Sequence, residues 1–66
     1  MTPKEKAQEL DSYFYELVAD TPDPEWRAKQ AALIVVNEII EALKDNAANS
    51  ASWLYYEEVK QEIENL

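Results

Sequence analysis

The sequence predicts an all-α domain, a small three-helix bundle, and three observations carry that prediction. Apolar residues recur at three- and four-residue spacing in three separate stretches. Two segments rich in Pro, Asp, Asn and Ser, around 20–24 and 45–50, interrupt them. With 47% hydrophobic and 30% charged residues, the chain is apolar enough to fold rather than stay disordered. At 66 residues it makes a single acidic domain, with helices expected over 3–19, 24–45 and 52–65.

The first helix has a written start. Thr2-Pro3-Lys4-Glu5 can form a capping box, in which the Thr2 hydroxyl and the Glu5 carboxylate each satisfy an end amide. Pro3 takes the first helical position, where no amide is missed. Ala7, Leu10, Tyr13, Phe14, Leu17 and Val18 then fall on one face, and Glu5, Glu9, Ser12 and Glu16 on the other. Asp20-Thr21-Pro22-Asp23-Pro24 ends the helix, because each proline disfavours helical geometry in the residue before it. Asp23 is the expected N-cap of the second helix, with Pro24 first inside it.

Along that second helix Ala28, Ala31, Ala32, Leu33, Val35, Val36, Ile39, Ile40, Ala42 and Leu43 cover an arc of roughly 200°. A surface helix needs about half as much. The second helix is therefore expected at the centre, apolar on two sides, with Gln30, Asn37, Glu41 and Lys44 as a narrow wet strip into which Ile34 points. Asn46 or Asn49 is expected to supply the left-handed stop that glycine usually provides. The third helix starts near Ser50 or Ser52 and carries Tyr56, Val59, Ile63 and Leu66 as a plain stripe. The expected core is Leu10, Phe14, Leu17, Ala32, Val35, Val36, Ile39, Leu43, Tyr56, Val59 and Ile63.

Composition excludes several kinds of chemistry. There is no cysteine, histidine or glycine, so disulfides, zinc ligand sets, thiolate nucleophiles, serine–histidine relays and glycine-rich phosphate loops are all missing. Six cations stand against fourteen anions, a formal net charge of −8. The excess is spread evenly. Residues 1–20 carry two cations and five anions (−3), residues 21–46 three and five (−2), and residues 47–66 one and four (−3). Nucleic-acid backbones and anionic membranes both select basic segments, so neither is an expected partner. The first ten residues have no apolar core of signal-peptide length, and the longest apolar run, Ala31–Val36, is too short to cross a bilayer. A soluble, cytoplasmic protein is expected.

Three segments resemble a known group. Thr2-Pro3-Lys4-Glu5-Lys6-Ala7, the Ala28-Lys29-Gln30 start of an Ala-Leu-Ile run ending in Glu38-Ile39-Ile40, and Glu58-Val59-Lys60-Gln61-Glu62-Ile63-Glu64 are similar to segments of short uncharacterised phage and prophage proteins of Bacteroidota. That group tends to have a cysteine where Ala31 stands and an acid where Asn37 stands. The resemblance implies a phage accessory protein acting in a bacterial host cell, and it brings no activity or functional residue with it.

Catalysis has little to work with. Glu38 and Glu41 lie three apart on one helix, and Glu57, Glu58 and Glu62 could add carboxylates from another, a layout resembling all-helical magnesium-dependent nucleotide pyrophosphohydrolases. The second acid pair fails, however, since Lys60 and Gln61 stand where the partner acids of Glu57 and Glu58 are needed. Glu38 and Glu41 also sit on the polar side of their helix, away from the interior where such sites are built. No catalytic residue, metal site or cofactor is expected.

The aromatics point elsewhere. Phe14 and Tyr56 belong to core stripes, whereas Tyr15, Trp26, Trp53 and Tyr55 lie at stripe margins near helix ends. They either cap a small core or anchor a partner, as Trp and Tyr do at interface hot spots. Glu57, Glu58, Glu62 and Glu64 spread opposite the Tyr56-Val59-Ile63 stripe and are candidate steering charges for a basic protein. Ile34 and Leu54, off the stripes, are candidates for self-association into a homodimer or higher oligomer, which a core of this size invites. The expected function is a protein-interaction module that inhibits a host defence or nucleic-acid-handling protein. The alternative is an oligomeric small-ligand protein, a nucleotide sponge or carboxylate-metal hydrolase, for which Arg27, Lys29 and Lys44 would have to converge.

Overall fold

Residues 1–45 and 52–66 are described by the structure, a computed structural model. Helices α1 (Pro3–Val18), α2 (Pro24–Lys44) and α3 (Ser52–Glu64) follow in chain order, and each touches both of the others. Every helix boundary lies within one residue of its expected position. The left-handed stop expected at Asn46 or Asn49, and the earlier start at Ser50, lie outside the described residues.

Local chemistry explains the helix ends. At the start of α1 the Glu5 amide donates to Thr2 Oγ1 at 3.2 Å and the Thr2 amide donates to Glu5 Oε1 at 3.0 Å, completing the capping box. The Thr2 amide, and after it the Thr2 hydroxyl, hold the Glu5 carboxyl below its ordinary range. At the other end of α1, the amide and hydroxyl of Thr21 both donate to the Val18 carbonyl, at 3.0 and 2.6 Å. One of the open carbonyls of the last turn is thereby satisfied.

Asp23 departs from expectation. It stands at the N-cap of α2, but its side chain makes no capping bond and its backbone is left-handed, at φ 52° and ψ 56°. The ring of Pro24 turns it away from right-handed helical geometry, and aspartate is one of the few residues besides glycine that visit the left-handed region. The extended backbone from which a capping side chain reaches the helix amides is lost. α2 starts instead on a backbone bond from the Arg27 amide to the Asp23 carbonyl at 3.0 Å, while Arg27 Nε donates to the Pro22 carbonyl at 2.8 Å.

The core is narrow. Ala7, Ala28, Ala32, Val36, Ile40, Val59 and Ile63 are buried. Of the expected core, Ala32, Val36, Val59 and Ile63 are among them, while Leu10, Phe14, Val35, Ile39, Leu43 and Tyr56 are half-buried. Ala28, Ala32, Val36 and Ile40 make one four-residue row along α2, the ridge that seats in a neighbouring helix's groove. Its side chains grow from methyl to sec-butyl along the helix. Along α2 the buried side chains are therefore smallest where the helix begins.

One core assignment, Leu17, fails at that end. Leu17 is 65% exposed and Tyr13 61% exposed. Leu17 lies in the last turn of α1, beyond Phe14, the last side chain of that helix packed against the core. Tyr13, expected on the apolar face though not in the core, lies edge-on to Phe14 with ring centroids 5.3 Å apart.

Two hydrogen bonds fix how the helices run. Tyr55 Oη donates to the Met1 carbonyl at 3.1 Å, so α1 and α3 start at the same end. Lys29 Nζ donates to the Glu64 carbonyl at 2.9 Å, so the start of α2 meets the finish of α3. The body measures 41 × 20 × 15 Å, which makes its two ends separate surfaces. No described helix is long and apolar enough to cross a membrane.

Candidate interaction surface

Among the described residues no polar or charged side chain is buried, so the chemistry they offer lies on the surface. The surface candidates divide between the two ends. At the end where α1 and α3 start, Trp53 and Tyr55 are half-buried and packed against the core. Lys44 Nζ lies 4.6 Å from the centre of the Trp53 ring, a cation–π contact, and 3.9 Å from Glu57 Oε1. Tyr55 is held by its bond to Met1 and meets Tyr56 edge-on at 5.1 Å. These two aromatics are already occupied inside the chain.

At the opposite end Tyr15 and Trp26 come together. With Asp11, Glu25, Lys29 and Leu66 they line a groove of about 580 Å³. Helical spacing explains the convergence: Asp11 and Tyr15 are four apart on α1, and Lys29 lies three from Trp26 and four from Glu25 on α2. Trp26 is 62% exposed because α2 has only just begun, so no preceding turn covers its ring. Tyr15, off the apolar stripe of α1, is 40% exposed.

The groove is acidic. Its carboxylates, Asp11 and Glu25, outnumber its one ammonium, and among the described residues neither carboxylate is ion-paired. Lys29 spends its ammonium on the last turn of α3, where open carbonyls carry the negative end of the helix dipole. Sequence reasoning picked out Tyr15 and Trp26 but missed Asp11, Glu25 and Leu66 as their neighbours. The four-residue spacings were readable; the meeting of three helix ends was not.

The remaining candidates scatter. Glu58 and Glu64 are exposed, Glu57 and Glu62 half-buried, all on α3. Ile34 is 63% exposed in the middle of α2, and Leu54 is 53% exposed in the first turn of α3. Glu38 and Glu41 are exposed on α2, and among the described residues no group of three or more acids is arranged to hold a metal ion. Arg27, Lys29 and Lys44 do not converge: Arg27 turns to Pro22, Lys29 to Glu64, and Lys44 to Trp53 at the far end.

Comparison with known protein families, curated proteins and solved structures returns no match.

Proposed function

We propose that this chain is a non-enzymatic protein-interaction module whose acidic surface docks on a basic protein. The observation that carries the reading is the open groove, where two exposed aromatics stand beside two carboxylates that no described cation pairs, on a chain of net charge −8. Long-range attraction speeds encounter and selects the partner, and aromatic burial slows dissociation. The resemblance to phage proteins extends the proposal to an accessory protein that inhibits a defence or nucleic-acid-handling protein in the cytoplasm of a bacterial host.

Affinity capture from such a host with the tagged protein tests it. A single stoichiometric basic partner, released by salt, is expected; an acidic partner, or none, overturns the reading. In the captured complex, Glu58→Lys with Glu62→Lys should slow association and flatten its salt dependence while leaving the fold intact. The hydrolase alternative has its own check. Calorimetric titration with magnesium should give only weak, salt-screened heats, and a micromolar isotherm abolished by Glu41→Gln would restore it.

Self-association through Ile34 and Leu54 is the second reading, favoured by the exposure of both side chains. Charge works against it, since pairing two copies brings together surfaces that each carry −8. Light scattering decides: a dimer that Ile34→Lys dissolves supports it, and a monomer at millimolar concentration removes it.

A further inference from the structure

We infer that the groove between the finish of α1 and the start of α2 is an arginine-reading site, which takes a guanidinium from an exposed basic segment of the partner. This rests on the proposed function and specifies its contact. The chain itself shows how such a site works. At the far end a lysine, a tryptophan ring and a glutamate form a satisfied trio: Lys44 Nζ stands 4.6 Å from the Trp53 centroid and 3.9 Å from Glu57. At the groove the ring and the carboxylate recur as Trp26 and Glu25, with Tyr15 and Asp11 added, and the third member is missing. Among the described residues the only cation over an aromatic ring is Lys44, because Lys29 is drawn aside to the Glu64 carbonyl.

The chemistry selects arginine over lysine. A guanidinium is planar, stacks on an indole or phenol face and still presents edge donors to carboxylates, whereas an ammonium is a strongly hydrated point charge. At about 580 Å³ the groove falls within the size range of ligand sites and has room for the flanking backbone as well. A second copy of the chain is not the occupant. Its one arginine, Arg27, is bonded into its own hairpin at Pro22, and its surface repels another of the same charge.

The probe is a capped Gly-Arg-Gly peptide, followed by nuclear magnetic resonance on the intact chain. Its controls are the same peptide with citrulline, which keeps the shape and loses the charge, and with lysine. Saturable shifts confined to Asp11, Tyr15, Glu25 and the Trp26 indole are expected, with the citrulline peptide at least about tenfold weaker. Trp26→Ala, and separately Asp11→Asn with Glu25→Gln, should each weaken the arginine peptide about tenfold. Trp53→Phe, at the other end, should leave it unchanged. Equal binding of the citrulline or the lysine peptide, shifts spread along Glu38, Glu41 and Glu58, or a Trp26→Ala variant that is folded and binds normally would each overturn the inference. The two proposals fail separately. A groove that binds the peptide in a chain that captures no basic protein overturns the module reading alone, and a captured partner indifferent to Trp26→Ala overturns the arginine site alone.

Discussion

Trp53 and Trp26 have the same kinds of neighbours and opposite fates. Each stands at a helix start beside a glutamate and within reach of a lysine, at opposite ends of a body 41 Å long. Around Trp53 the lysine lies over the ring, Tyr55 ties α3 to the start of α1, and the aromatic surface is used up within the chain. Around Trp26 the lysine goes to a backbone carbonyl and the ring is not packed on the core cluster, so it stays 62% exposed. The difference teaches that an aromatic becomes available to a partner through what its nearest cation does and whether its ring packs on the core. Aromatic content alone does not decide.

The largest effect tests the core on which both ends rest. Ile63 is fully buried, so Ile63→Ala should cost about 2–5 kcal/mol, from the removed surface and the cavity left behind. That is comparable to the whole stability of a domain this small. Loss of a cooperative thermal transition in circular dichroism is expected, and an unchanged melt would contradict the burial.

The next effect separates the two tryptophans. Trp53→Ala should destabilise by about 2–4 kcal/mol, towards the low side of the range for large buried residues, because the ring is half-buried and supports Lys44. Trp26→Ala should change stability by no more than about 0.5 kcal/mol, since its ring meets mostly solvent. Chemical denaturation of the two variants side by side measures both. Equal losses would erase the distinction between a used end and an open one.

How much of this the sequence already contained follows the range of the interactions. The capping box of Thr2 and Glu5, the proline stop after Val18 and the three stripes are written within a few residues of one another, and all of them were legible. The left-handed backbone of Asp23 was not, because two flanking prolines compete with the capping preference of aspartate and local rules do not rank them. Periodicity places Leu17 in the core and the structure exposes it, because periodicity records the face of a helix but not where its neighbours end. The same blindness split the aromatic candidates. All four looked marginal, and only the meeting of helix ends seats Trp53 and Tyr55 on the core while leaving Tyr15 and Trp26 in a groove.

A smaller effect probes how the used end is tied. Tyr55→Phe removes the hydroxyl that donates to Met1 and keeps the ring that packs on the core. The bond is partly exposed, so its loss should cost about 0.5–1 kcal/mol. Amide hydrogen exchange should quicken at the start of α1 and stay unchanged beside Trp26. Quickening at both ends would mean that the two are coupled through the bundle.

The smallest effect is one of sign, and it sets the start of α1 against the finish of α3. Glu5 caps a helix N-terminus and its carboxyl is held below the ordinary range by Thr2. A carboxyl whose folded pKa is lowered adds stability above its unfolded pKa and loses it as pH falls through the folded one. The pH profile of the unmodified chain mixes this loss with an opposite gain, because acidification towards the pI of about 4.2 relieves the repulsion among fourteen acids. Subtraction isolates it. The stability difference between the unmodified chain and Glu5→Gln should favour the unmodified chain at pH 7 and shrink as pH drops through and below the usual carboxylate range. Glu64→Gln is the counterpart at the other end, where a negative charge in the last turn of α3 opposes the helix dipole. It should be neutral or slightly stabilising at pH 7. If both substitutions moved the melting temperature in the same direction at pH 7, net charge rather than helix-end geometry would govern these acids, and the distinction between the two ends would not extend to their electrostatics.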